Sequence, residues 1–321
     1  MNFRLTGCLA ALALFAVSCD EEAAVSPIEK SPESADQKAQ SDAPGNETTT
    51  AETKPATPAP GKPAQPVFWS EVTLHEAIRA KNPGYSGNAQ FQIDPNGQPQ
   101  AIALDNCGVS DLSPFEGMKL QAMYLLGCPV PTVDALKGMP LVELYLENTA
   151  VKDLSPLEGI TTLQKLYLSG TIVEDLSPLK GAPIVEMNLL NTRVTDLTPL
   201  ATMPIQMLWL TDTKVEDISP LAKCPLVSLT LHRTNVKDLS PLANTQLKRL
   251  HIGETPVTDL TPLKGLMLTR LVFDPDKIKK GMDDIKAIPS IQEIGTKFED
   301  GQNDLKPPAV FWSAREQKTA E

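Results

Sequence analysis

Residues 141–157 read LVELYLENTAVKDLSPL, and residues 226–242 read LVSLTLHRTNVKDLSPL. Superimposed, they align Leu141, Leu144, Leu146, Thr149 and Val151 with Leu226, Leu229, Leu231, Thr234 and Val236, and both close on the same seven letters. The closing motif, Asp-Leu/Ile-Ser/Thr-Pro-Leu/Phe, begins at Asp111, Asp153, Asp175, Asp196, Asp217, Asp238 and Asp259. The interval settles at 21 residues, with one of 22 and one of 42. The long interval hides a degenerate copy at residues 132–136, and the extra residue of the 22 lies between Gly159 and Leu163. A fixed period of this length means stacked structural repeats.

The letters of one unit dictate its shape. In Leu144-Tyr145-Leu146 the alternation sends the leucines to one face and the tyrosine to the other, as a strand requires. Asp153 and Ser155 can take free backbone N–H groups at the following turn, and Ser155 before Pro156 predicts the order cap then first helical residue. One unit cannot bury its apolar face alone, so neighbours must stack into a continuous core. Strands about 4.8 Å apart then make a parallel sheet roughly 40 Å long. Units this short leave room only for 3₁₀ or extended turns on the opposite side.

The pattern L-x-x-L-x-L-x-x-T-x-V on this period resembles the leucine-rich repeat, and the array with its flanks resembles the internalin-type repeat proteins of bacteria. The resemblance covers residue 68 to about residue 296. It implies an α/β solenoid: a leucine-rich repeat horseshoe with a concave parallel β-sheet, short convex turns and helical caps at both ends. It also implies a binding surface, without naming a ligand. Thr149, Thr171, Thr192, Thr213, Thr234 and Thr255, with Cys107 and Cys128 at their head, stand where such repeats usually carry asparagine. Cys107 and Cys128 are stacked neighbours; buried reduced thiols are expected, and whether they are bonded stays open at this point. Cys224 aligns with Met139 and belongs in the core.

The caps fall at residues 67–100 and 274–321, around repeats at 101–273. Ser70 to Lys81 reads as a helix with Ser70 as its cap and Leu74 and Ile78 on one face, stopped by Asn82-Pro83-Gly84. Phe91 and Ile93 alternate as a strand, turned back by Asp94-Pro95-Asn96-Gly97. On the far side, Asp276 to Ile288 reads as one helix, followed by a decayed strand at residues 291–294. Val-Phe-Trp-Ser occurs at residues 67–70 and again at 310–313, read as two apolar plugs of similar use.

Residues 1–19 read as an export signal: Arg4, then a short apolar run, then Ala16-Val17-Ser18-Cys19. That ending resembles the lipobox of bacterial lipoproteins, with Ala16 in place of the usual leucine. It implies lipidation at Cys19 and anchoring to a bilayer by acyl chains, in the cell envelope. Residues 20–66 hold eight prolines, nine acidic and four basic residues and no aromatic, the composition of a disordered tether.

The whole chain has 321 residues and a net charge of −11, which argues against a nucleic-acid partner. No P-loop, H-E-x-x-H, C-x-x-C or G-x-S-x-G motif is present, so no enzyme, cofactor or metal is expected. The candidate site is the concave face. Its central column reads Ala103, Tyr124, Tyr145, Tyr167, Asn188, Trp209, Thr230, His251 and Val272. Exposed aromatics in a row are enriched at interface hot spots. Asp105, Glu143, Glu147 and Glu186 flank one half, and His232, Arg249 and Arg270 the other. The expected ligand-binding set is Tyr124, Tyr145, Tyr167, Asn188, Trp209, His232, Arg249, His251 and Arg270. The expected ligand is a protein or peptide; a carbohydrate or envelope polymer, or a scaffold with no ligand, are the alternatives.

Overall fold

The computed structural model describes residues 68–299 and 302–320. The expected export signal, the expected tether and Cys19 lie outside them. The described residues open with helix α1 (Glu71–Lys81) and strand β1 (Gln90–Ile93), which pairs antiparallel with β2 (Pro99–Ala103). From there the sheet is parallel: β3 (Ala122–Tyr124), β4 (Glu143–Tyr145), β5 (Lys165–Tyr167), β6 (Glu186–Asn188), β7 (Met207–Trp209), β8 (Ser228–Thr230), β9 (Arg249–His251), β10 (Arg270–Val272) and β11 (Glu293–Gly295). The 11 strands follow one another in chain order, each hydrogen-bonded to the next. Register is strict: Leu144, Leu166, Met187, Leu208, Leu229, Leu250 and Leu271 are mutual partners, all buried.

Each unit returns on the convex side through a short 3₁₀ turn, such as Ser155–Leu157. Leu154 holds the cap position and Ser155 is the first turn residue, so the turn starts one residue earlier than the cap-then-proline order predicts. The capping group is the preceding aspartate. Asp153 Oδ1 accepts the Ser155 N–H at 2.8 Å, and Asp111, Asp175, Asp196, Asp217, Asp238 and Asp259 repeat this at 2.7–2.8 Å. The carboxylate can reach that N–H because the intervening residue turns the backbone back on itself, as in an Asx-turn.

The threonine column closes the other corner. The hydroxyls of Thr149, Thr171, Thr192, Thr213, Thr234 and Thr255 each donate to the carbonyl three residues earlier at 2.7 Å. The threonines therefore satisfy their own unit and do not bridge to the next. Cys107, Cys128 and Cys224 are free, buried thiols; Cys128 Sγ–H donates across to the Leu104 carbonyl at 2.9 Å.

These aspartates have an acid signature. Hydrogen bonds from the following Ser or Thr hold the carboxyls of Asp111, Asp153, Asp175, Asp196, Asp238 and Asp259 below their ordinary value. A depressed folded-state value gives stability that is present above the unfolded carboxyl value of about 3.9, and lost as pH falls through the folded one. Melting temperature is thus expected to drop steeply below about pH 4. Asparagine keeps the accepting oxygen but cannot titrate, so the double variant Asp153→Asn, Asp175→Asn should melt with a shallower acid slope. An unaltered slope in scanning calorimetry would refute this role.

At the N-terminal end, Ser70 caps α1 in a reciprocal pair with Thr73, and Leu74 and Ile78 are fully buried. Asn82, itself buried, clips α1 to the first unit: its amide donates to the Asp111 carbonyl and its oxygen accepts from Ser110 and Asp111.

The C-terminal side departs from expectation. The predicted helix over 276–288 is broken into a 3₁₀ turn (Pro275–Lys277) and the five-residue helix α2 (Met282–Lys286). The backbone between them runs extended beside the last repeat, with Lys279 and Lys280 N–H on the Thr258 carbonyl and Leu260 N–H on that of Lys280. Gly281 follows at φ +83°, where a Cβ would overlap the backbone of Leu260 and Thr261. Pairing with the preceding turn has overridden local helix preference. The strand expected at 291–294 forms as β11.

After it come a hairpin, β12 (Phe298–Glu299) with β13 (Gln302–Asn303), and helix α3 (Pro308–Ala320). The two Val-Phe-Trp-Ser copies are not alike. The second lies inside α3, where buried Phe311 seals the core end 6.3 Å from Phe273. In the first, Phe68 is largely exposed and Ser70 ends the segment as the α1 cap.

Candidate functional site

In-register stacking fixes the concave face. Along β4 it presents Glu143, Tyr145 and then Glu147; along β5, Lys165, Tyr167 and Ser169; along β7, Met207, Trp209 and Thr211. Tyr124, Tyr145 and Tyr167 are direct cross-strand partners. Their rings stack at centroid separations of 4.8 and 4.5 Å, with the last pair 12° from parallel. Strand spacing and ring-stacking distance are nearly equal, so identical aromatics in register cover one another's faces. Trp209 reaches past Asn188 to within 6.1 Å of Tyr167.

This corrects the expectation of a fully exposed column. Tyr145 is 6% exposed and Tyr167 5%, while Tyr124, Asn188 and Trp209 are half-buried. Tyr124 donates its hydroxyl to Glu143 Oε2 at 2.9 Å, and Tyr167 to Glu186 Oε2 at 3.0 Å. Lys165 pairs with Glu143 at 3.1 Å. Burial, then the neighbouring carboxylates, pushes the Tyr145 and Tyr167 hydroxyls far up from their ordinary value.

The other half is internally engaged. His232 and His251, expected as surface groups, are 4% and 6% exposed, and their rings stack at 4.6 Å. His232 Nδ1 lies 2.9 Å from the Gly253 carbonyl, which can only accept, so Nδ1 carries the proton. His232 Nε2 then accepts from Arg233, whose guanidinium also grips Asp212 at 2.6 and 2.8 Å. Both His232 nitrogens are thus taken. His251 Nε2 is buried with no hydrogen-bond partner among the described residues. Burial above all, with the nearby Arg233 guanidinium adding to it, lowers His251 to about 3, so it stays neutral. Phe298 of the β12–β13 hairpin meets the His251 ring edge-on at 6.5 Å. Arg270 lies over Phe298 at 4.9 Å and pairs with Glu293 at 2.5 Å. Arg249 is half-buried and touches Met207 Sδ at 3.8 Å.

A family model of paired leucine-rich repeats matches residues 141–181. The fold of the described residues is a leucine-rich repeat solenoid. Solved structures with this fold include an internalin of Listeria monocytogenes, 24% identical over 71% of this chain and 75% of that one, with a TM-score of 0.53. Another is the repeat ectodomain of the receptor kinase GASSHO1/SCHENGEN3 of Arabidopsis thaliana, solved in complex with Casparian strip integrity factor 2. It is 16% identical over 63% of this chain and 27% of that one, also with a TM-score of 0.53. No curated protein matches in sequence. Identities this low establish the fold and leave the ligand to be argued from the solenoid itself.

Of the candidate residues, the solenoid brings Tyr124, Tyr145, Tyr167, Asn188, Trp209 and Arg249 onto one open stretch of sheet. It sets His251 and Arg270 against Phe298 of the C-terminal hairpin, pairs Arg270 with Glu293, and buries His232 in its bonds to Gly253 and Arg233. Three residues here escape a reading of the central column: Met207, Arg233 and Phe298. Met207 follows from register once the flanking column is written out. Arg233 stands at the left-handed corner that every unit repeats, at φ +54° beside Asn191 at +53° and Asp212 at +61°, but its bonds to His232 and Asp212 belong to its own side chain and not to the period; Phe298 lies beyond the repeats.

Proposed function

We propose that this solenoid is a non-enzymatic binding protein of the bacterial cell envelope, holding a protein or peptide on its concave face. The observation that carries the reading is the ring stack from Tyr124 to Trp209. Its interior rings are pre-ordered by their neighbours, so little side-chain entropy remains to be lost on binding. Its two half-buried ends, Tyr124 and Trp209, offer the amphipathic surface typical of interface anchors. The peptide-bound plant ectodomain is a precedent for occupancy of this fold, not of these residues.

Ring geometry weighs against the carbohydrate alternative. Sugars stack on aromatic faces, and both faces of Tyr145 are already covered. The test is affinity capture from envelope extracts by the native chain and by a variant with Tyr145, Tyr167 and Trp209 replaced by alanine. Loss of a captured protein supports the reading; loss of glycan retention instead would favour the alternative.

Anchoring is proposed through diacylated Cys19, since two acyl chains are what stable membrane attachment needs. Among the described residues no helix is long and apolar enough to cross a bilayer. Cys19→Ala is expected to move the protein from the membrane pellet to the soluble fraction on fractionation. A variant that stays in the pellet would exclude this anchor.

A further inference from the structure

The charges of the concave face are almost all consumed within the chain. Glu143 has Lys165 and Tyr124, Glu186 has Tyr167, Glu293 has Arg270, and Asp212 has Arg233. Asp105 accepts the Leu126 N–H, and Asp274 the Glu254 N–H. Two groups stand apart among the described residues. The Glu147 carboxylate, half-buried beside Tyr145, has no hydrogen bond or ion pair, and Asp105 adds a second negative charge near it. The Arg249 guanidinium, half-buried, has only a thioether contact with Met207, and its strand neighbour Arg270 is also cationic.

Partly desolvated, unpaired charges are costly to keep, and a partner of opposite sign relieves the cost. Here they are of opposite sign, on opposite edges of the same face, with Tyr167 and Trp209 between them. We infer that the concave ligand is an extended polypeptide segment placing a lysine or arginine at Glu147 and an aspartate or glutamate at Arg249, its intervening residues crossing Tyr167 and Trp209. This rests on the reading of the concave face as a peptide-binding surface. The separation sets a ruler. From β4 to β9 are five strand steps, about 24 Å along the sheet at about 4.8 Å each. An extended chain gaining about 3.3 Å per residue spans that, with the diagonal across the columns, in roughly seven to nine residues. Opposite charges at the two ends also fix the direction of the bound segment, since the reversed peptide sets like charges together.

The test selects random 12-residue peptides displayed on phage against the immobilised full chain at about 0.15 M salt, where the Debye length is about 8 Å and long-range attraction is screened. Enriched peptides should carry a basic and an acidic residue seven to nine positions apart, in one constant order. A synthetic winner should lose at least tenfold in affinity on Glu147→Gln and on Arg249→Gln. Glu147→Lys should recover binding to the same peptide with its basic residue changed to glutamate. Circular dichroism and melting of each variant check folding.

Winners that lose affinity on Trp209→Ala but not on Glu147→Gln would overturn the charge assignment and leave the concave reading standing. Winners indifferent to both substitutions, or no enrichment at all, would overturn both.

Discussion

Leu208→Ala is expected to destabilise the repeat domain by about 2–5 kcal/mol, the range for removing a fully buried leucine from a core that cannot collapse around the gap. Leu208 sits at the middle of the sheet, 1% exposed, with Met187 on one side and Leu229 on the other. Both neighbours are held in register by the backbone ladder, so neither can move to fill the space. In a stacked array, stability is the sum of unit terms and nearest-neighbour interfaces, and a central residue belongs to two interfaces. The loss should exceed that of the same change at an end strand. Urea denaturation followed by circular dichroism measures it. A loss below about 1 kcal/mol would mean that the leucine column is not the close-packed core described here.

How much of this was legible depends on whether a feature repeats. Leu144 and Leu166 lie in equivalent positions of successive units, so their contact follows from the period alone. The same holds for the Tyr145–Tyr167 pairing and for every Asp-to-Ser/Thr turn. What the period does not carry is the consequence of identical neighbours. The Tyr145 position reads as outward-facing, and it is; its burial comes from the near equality of strand spacing and ring-stacking distance.

The ends resisted reading because they do not repeat. Residues 276–288 have helical character, but extended backbone pairing with Thr258 and Leu260 outcompetes it, and Gly281 makes that close approach possible. Phe298 covers His251 through a hairpin pinned by Asp304, which accepts the Thr296 and Lys297 N–H groups; no hydrophobic pattern announces such a contact. Consequently the C-terminal end of the expected binding column, His251 and Val272, is buried by the chain itself.

The second large effect concerns binding and bears on the central claim. Aromatic anchors at an interface cost about 2 kcal/mol or more each when truncated, so removing two should weaken binding by three orders of magnitude or so. Tyr145 and Tyr167 are buried, and their loss also removes packing. The cleaner variant therefore takes the half-buried ends of the stack, Tyr124→Ala with Trp209→Ala, and leaves the interior rings in place. Affinity capture from envelope extracts by this double variant, with its melting temperature recorded beside that of the native chain, is the most direct measurement. Disappearance of the captured protein with melting within a few degrees of native is the predicted result. Undiminished capture by a folded double variant would contradict a concave binding site.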